Sequence, residues 1–255
     1  MSAAATARHA DTRAVITGGT QGLGLAVARR LAREGAAGIV VSGRRADLGE
    51  RAAAEVRALG TACHYVQADV GSADDCARLM AEAIDKFGSV NALVNSAATT
   101  DRGTLLGTTP EMWQQQFDIN ARGPFLLMQA LVRHLLERKA PGSIVNILSQ
   151  SAHVGQSFLV PYSASKAALA NLTKNVAQSH RAQRIRCNGV MAGWMDTPGE
   201  HAIQKRAHDA PDDWLAQAEA TRPMGQLAKP DELAGLISYM LSPESGVMTG
   251  ALVDY

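Results

Sequence analysis

The stretch Arg13–Gly35, RAVITGGTQGLGLAVARRLAREG, decides the architecture. RAVIT is a short β-branched run suited to a buried strand, and LAVARRLARE is an amphipathic helix closed by Gly35. Between them lies a turn holding Gly18, Gly22 and Gly24. Glycine tolerates positive φ and lets a backbone approach a ligand closely. A helix N-terminus offers free N–H groups and partial positive charge to an anion. Strand, glycine turn and helix in that order open a βαβ unit, whose usual anion is the pyrophosphate of a dinucleotide. The spacing Gly18-xxx-Gly22-x-Gly24 is not GxGxxG, and tight turns alone need glycine. The position after the first strand of an alternating chain is what favours the ligand.

The alternation continues outward from that unit. GIVVS, CHYVQAD, NALVNSA, GSIVNILS and RIRCNGV read as strands, DLGERAAAEVRALG, CARLMAEAIDKFG and PDELAGLISYML as helices, and GALVDY begins a last strand. A long helical stretch over 110–137 is expected to bend at Gly123-Pro124. Short apolar strands separated by helices predict an α/β fold, a doubly wound parallel sheet of the Rossmann type. No linker or repeat divides the chain, so 13–255 reads as a single domain and 1–12 as a loose tail. From 194 to 229 the rhythm fails, and the part over 194–221 reads as a substrate loop or lid.

Composition narrows the partners. A net charge of +1, with both signs spread along 255 residues, argues against nucleic acid, which needs a basic face. Neither a signal peptide nor a membrane span is indicated. Cys63, Cys76 and Cys187 are odd in number and far apart, and read as reduced, partly buried thiols of a cytoplasmic protein. Seven scattered histidines show no ligand spacing, so no metal is expected.

Two further stretches carry chemistry. The second strand ends in VVSGRRAD, with Gly43 where NAD-binding folds tend to place an acid, and Arg44 and Arg45 after it. A carboxylate would repel a 2′-phosphate and a guanidinium can grip one, so NADP(H) is favoured, with NAD(H) the alternative. PYSASKAAL, from Pro161 to Leu169, opens a helix with Tyr162 and Lys166 one turn apart on one face. An ammonium there would favour the phenolate and bring the tyrosine pKa down toward neutral.

Taken in order, these motifs resemble the compact branch of the short-chain dehydrogenase/reductase family over about Arg13 to Tyr255. TGGTQGLG resembles the family's TGxxxGxG, ADV holds its adenine-contacting Asp69, and NSAA stands where NNAG is usual. Asn120 in FDINARGPF, Ser149 in IVNILS, and Tyr162 with Lys166 in YSASK match its catalytic tetrad. MAGWMDTP is similar to its PGxxxT stretch, with Ala192 in place of proline.

The resemblance implies hydride transfer between nicotinamide and a carbonyl or secondary alcohol, with Tyr162 as general acid/base. Ser149 would bond the reacting oxygen, Lys166 would also hold the nicotinamide ribose, and Asn120 would hold a water in a relay. It implies cofactor contacts from Gly18, Thr20, Gln21, Gly22, Leu23 and Gly24, from Asp69 and Val70, and from Asn95 and Ala97. Tyr162, Lys166, Gly193, Met195 and Thr197 would complete that set, and relatives suggest a homotetramer or homodimer. Singly, each tetrad residue has a plain structural explanation; four together in register favour catalysis. The competing readings are an NAD-dependent alcohol or polyol dehydrogenase of the same fold, isomerisation through a transient ketone, and a cofactor-sensing binding protein without turnover. Asp101, Arg102, Trp194, His201 and Trp214 would shape the substrate pocket and lean toward a hydroxylated or acidic compound.

Overall fold

Successive side chains of a strand leave by opposite faces, and here both sets are apolar. The computed structural model describes residues 7–255. In chain order its elements are β1 (Arg13–Thr17), α1 (Gly22–Arg33), β2 (Gly38–Gly43), α2 (Ala46–Ala58), β3 (Cys63–Gln67), α3 (Ala73–Phe87) and β4 (Ala92–Asn95). There follow α4 (Pro110–Phe117), a π-helical turn (Asp118–Arg122), α5 (Gly123–Arg138), β5 (Gly142–Ser149), α6 (Val160–His180) and β6 (Ile185–Ala192). Then come α7 (Pro198–His208), α8 (Trp214–Ala220), α9 (Pro230–Leu241) and β7 (Leu252–Asp254). The strands pair in parallel in the order β3-β2-β1-β4-β5-β6-β7.

Val15, Val40, Leu93 and Ile144 point into one layer with Leu79, Leu127, Leu131 and Leu169 from α3, α5 and α6. Their neighbours Ile16, Ile39, Val41, Val94 and Val145 point into the other, with Val27, Leu31, Leu233 and Ile237 from α1 and α9. Each fully buried aliphatic side chain of this kind stabilises the fold by about 1.5–3 kcal/mol. The expected doubly wound sheet is therefore present. Strand order reverses between β1 and β4, so a crevice opens at the carboxyl ends of these strands. No helix among the described residues is long and apolar enough to cross a membrane.

Three expectations are corrected. The helix over 110–137 is interrupted upstream of Gly123-Pro124, by the π-helical turn. Pro124 has no N–H for the carbonyl of Asn120 and its ring crowds that carbonyl, so the chain widens before it. The segment 194–229 is not irregular throughout, because α7 and α8 form within it, anchored by buried Ile203 and Trp214.

The loose tail over 1–12 is the third. Residues 1–6 lie outside the described part, but His9 is fully buried. Its Nδ1 pairs with Thr12 Oγ1 at 2.9 Å and its Nε2 with Ser238 Oγ at 3.0 Å, and Ser238 in turn donates to Glu34. Polar groups, not apolar ones, tie this segment to α1 and α9. The three cysteines are all free and buried, Cys63 keeping 7 % exposure; burial pushes the Cys63 and Cys187 thiols up to about 12 and Cys76 to about 11.

Burial holds His9 below its ordinary pKa. Burial would raise Glu34, but the hydrogen bonds from Ser238 and Arg30 and the nearby arginine charges outweigh it and lower it. For both groups the unfolded chain takes up protons first, so stability falls with pH: through the histidine range first, then the carboxylate range. Denaturant midpoints measured from pH 8 down to 5 should decline, and His9→Gln should flatten that decline.

Candidate active site

At the crevice, α1 begins without a side-chain cap: Gln21 precedes it and makes no capping bond, and no acid lies in its first turn. Elsewhere Ser72, Thr109 and Thr197 cap α3, α4 and α7. The first N–H groups of α1 thus face the crevice unpartnered by side chains, as an anion requires. Gly18 has φ +64°, and a Cβ there would lie 2.9 Å from the Ala97 backbone. The β1 turn and the loop after β4 therefore meet backbone to backbone, and only glycine fits. These features fit a dinucleotide pyrophosphate.

A cleft of about 1830 Å³ runs from this turn to α6 and α7. That exceeds the several hundred cubic ångströms typical of a single small-molecule site and leaves room for a second compound beside a dinucleotide. Gly18, Thr20, Gln21, Gly22, Leu23, Gly24, Arg44, Arg45, Asp69, Val70 and Ala97 line it, with Ser149, Tyr162, Lys166, Gly193, Met195 and Thr197. Arg45 Nη2 donates to Gln21 Oε1 at 2.5 Å, which fixes one arginine against the glycine turn. Arg44 makes no ion pair among the described residues.

Asn95 is the exception among the expected cofactor contacts. It is 1 % exposed and does not line the cleft; it faces Asn146 across the β4–β5 pairing and donates to that residue's Oδ1 at 2.8 Å. Thr197 does line the cleft, but its hydroxyl accepts from Glu200 N to cap α7.

The four tetrad residues come from three elements. Lys166 is 2 % exposed, donates to Ile147 O at 2.8 Å, and places Nζ 5.9 Å from the centre of the Tyr162 ring. Ser149 ends β5, and its Oγ accepts from Ser151 N and Ser151 Oγ. Asn120 has no exposed surface and lies behind the cleft wall. Its Oδ1 accepts from Thr99 N at 3.0 Å, and its Nδ2 donates to Thr99 O and Ser165 Oγ at 2.9 and 3.1 Å. The side-chain amide thus ties the loop after β4 to α6, with both of its N–H groups taken.

The expected lowering of Tyr162 by Lys166 is reversed. Burial pushes the phenol up, and the Glu200 charge adds to this; the Ser149 hydrogen bond and the Arg102 charge oppose without prevailing. Burial also brings Lys166 down to about 8. Both groups lose water in the same wall, and desolvation penalises each charged form.

Residues not singled out by sequence also line the cleft. Glu200 accepts from Trp194 Nε1 and Gln204 Nε2 at 2.7 and 2.6 Å, and Phe158, Gln156, Arg222 and Tyr255 complete the wall. The pattern Thr197-x-x-Glu200 is a helix-start signal that could have located Glu200.

Comparisons with known proteins agree with this geometry. A family model described as enoyl-(acyl carrier protein) reductase matches residues 18–254. Dehydrogenase/reductase SDR family member 4 of Oryctolagus cuniculus is 36% identical over 250 residues, covering 96% of this chain and 92% of that one. Cis-4-hydroxycyclohexanecarboxylate dehydrogenase of Sinomonas cyclohexanicum is 35% identical over 245 residues, covering 96% and 94%. A crystal structure of an actinorhodin polyketide ketoreductase variant with NADPH superposes with a TM-score of 0.90 at 28% identity, covering 96% and 95%. The chain belongs to the short-chain dehydrogenase/reductase family. It is an NAD(P)-dependent oxidoreductase.

Replacing Asn120 by alanine would remove the partner of part-buried Thr99 N–H and C=O and of the buried Ser165 hydroxyl. An unsatisfied buried group costs about 1–3 kcal/mol, so a urea melt of Asn120→Ala should show a loss of at least that size.

Proposed function

We propose that this enzyme uses NADP(H) to interconvert a ketone and a secondary alcohol, with Tyr162 passing the proton. The observation that carries the reading is the convergence of Ser149, Tyr162 and buried Lys166 on the cleft that begins at the uncapped end of α1. When bound, the nicotinamide supplies or accepts the hydride. The remaining work falls to this chain's side chains.

In reduction, Ser149 Oγ donates a hydrogen bond to the carbonyl oxygen, and Tyr162 Oη gives that oxygen its proton as negative charge develops. A phenol whose pKa stands above its ordinary value is protonated at neutral pH, which suits a proton donor. The Lys166 ammonium then stabilises the phenolate left behind, as long as it keeps its own proton. Asn120 acts at one remove, by fixing the loop that carries Thr99 against α6.

Arg44 and Arg45 support the choice of NADP(H). Gly43 leaves the ribose side without a carboxylate, since a Cβ there would press on Thr20. A guanidinium next to that position recognises a phosphate bidentately. The substrate is a small carbonyl or alcohol compound; the hydroxy acid in one relative's name suits the polar wall around Arg102.

Tyr162→Phe should lower turnover by about 10²–10⁴ with cofactor affinity retained, as titration of cofactor fluorescence would record. Undiminished turnover would remove Tyr162 from the chemistry. Arg44→Asp should weaken NADPH about tenfold and NADH far less; an unchanged preference would refute the phosphate contact. The pH profile has a definite sign. The kcat for reduction should decline as pH rises past about 8, where Lys166 loses its charge, while oxidation should keep rising as Tyr162 ionises.

A further inference from the structure

Resting on that reading of the cleft, we propose that the substrate carries a carboxylate as well as its carbonyl, and that Arg102 is the residue that receives it.

Arg102 lies in the loop between β4 and α4, beside the reacting end of the cleft. The next residue, Gly103, accepts from Val160 N at 2.9 Å and donates to Phe158 O at 2.9 Å. Val160 begins α6, two residues before Tyr162. The Arg102 guanidinium stands 5.6 Å from the centre of the Phe158 ring and is mostly buried. Its charge is felt at Tyr162, as the opposing effects of Arg102 and Glu200 on that phenol record.

The guanidinium is positioned but not used up. Nε donates to His208 Nε2 at 3.1 Å and Nη1 to Thr100 O at 3.2 Å. Nη2 reaches Glu200 Oε1 only at 3.5 Å. A guanidinium has five N–H groups, so one on each terminal nitrogen has no partner here. Arg102 is the one cation paired with Glu200 among the described residues, yet the same oxygen takes much shorter bonds from Trp194 and Gln204. An incoming carboxylate can therefore share Arg102 through its free N–H groups while Glu200 keeps two hydrogen bonds.

Two other acids near this end of the cleft already accept hydrogen bonds. Asp101 pairs with Arg206 at 2.5 Å and accepts from Thr99 Oγ1 at 2.7 Å. Glu232 accepts from Gln226 Nε2 and from Lys229 N. Arg222, 5.5 Å from the centre of the Trp194 ring, has no carboxylate partner among the described residues. Two guanidinium groups with free capacity thus face the cleft. A carboxylate, planar and able to take two parallel N–H bonds, is the group this arrangement recognises.

The test measures binding, so it does not depend on turnover. Levulinate and 4-acetylbenzoate are titrated calorimetrically into the full chain saturated with oxidised cofactor, each beside its methyl ester. The acids should bind about tenfold tighter than the esters, and the gap should narrow as salt is raised. Arg102→Gln should bring the acid-to-ester ratio to within about twofold, Arg102→Lys should retain part of it, and Arg222→Gln should reduce it. If neither acid outbinds its ester, or if the preference survives Arg102→Gln, the assignment is overturned. The salt series on the unaltered chain decides the matter even where a variant fails to fold. A preference for acids without any cofactor oxidation or reduction would sink the hydride-transfer reading and leave the carboxylate contact standing. Turnover with acid and ester bound equally would do the reverse.

Discussion

Three segments that share no secondary structure are joined at one side chain. The Asn120 amide takes both backbone groups of Thr99 and also holds Ser165, whose hydroxyl donates to Tyr162 O at 2.7 Å. The loop after β4, the π-helical turn and the start of α6 therefore move as one piece. The geometry that permits this begins with Pro124, which widens the preceding turn, and with Gly123, where a Cβ would lie 2.2 Å from Val70 O. A backbone constraint two elements away sets the position of the tyrosine.

The electrostatics follow from that packing. Tyr162 and Lys166 are one helical turn apart, and both are drawn out of water by the same wall, so the neutral forms of both gain. Loss of water, rather than the neighbouring cation, is what sets the phenol. Around it, Glu200 and Arg102 exert opposite effects on the phenol, and both residues are set by the contact of α7 with the loop after β4. The position of α7 thus reaches the proton chemistry through these two charges.

The sheet was legible because its inner strands are buried on both faces, which leaves unbroken apolar runs such as IVV and ALV in the sequence. The cleft-lining glycines, arginines and tyrosine were legible because their spacing is fixed by local turn and helix geometry. Asn95 was misplaced on motif alone. Counting by twos from Leu93 puts its side chain in the layer of α5 and α6, where it meets Asn146. His9 was missed because nothing apolar marks its segment; its burial rests on partners as distant as Ser238. Helices α7 and α8 were illegible because each is short and polar, and two buried side chains, Ile203 and Trp214, are what seat them.

The three free thiols sit far apart, in the edge strand β3, in α3, and in β6 near the opposite edge of the sheet. Each is desolvated, and the thiolate is the form that reacts, so the folded protein is inert to alkylating and disulfide reagents at neutral pH. The molecule consequently carries its own clock for opening. A chromogenic thiol reagent added to the untouched chain reports when β3, α3 or β6 first admits solvent, with no label introduced.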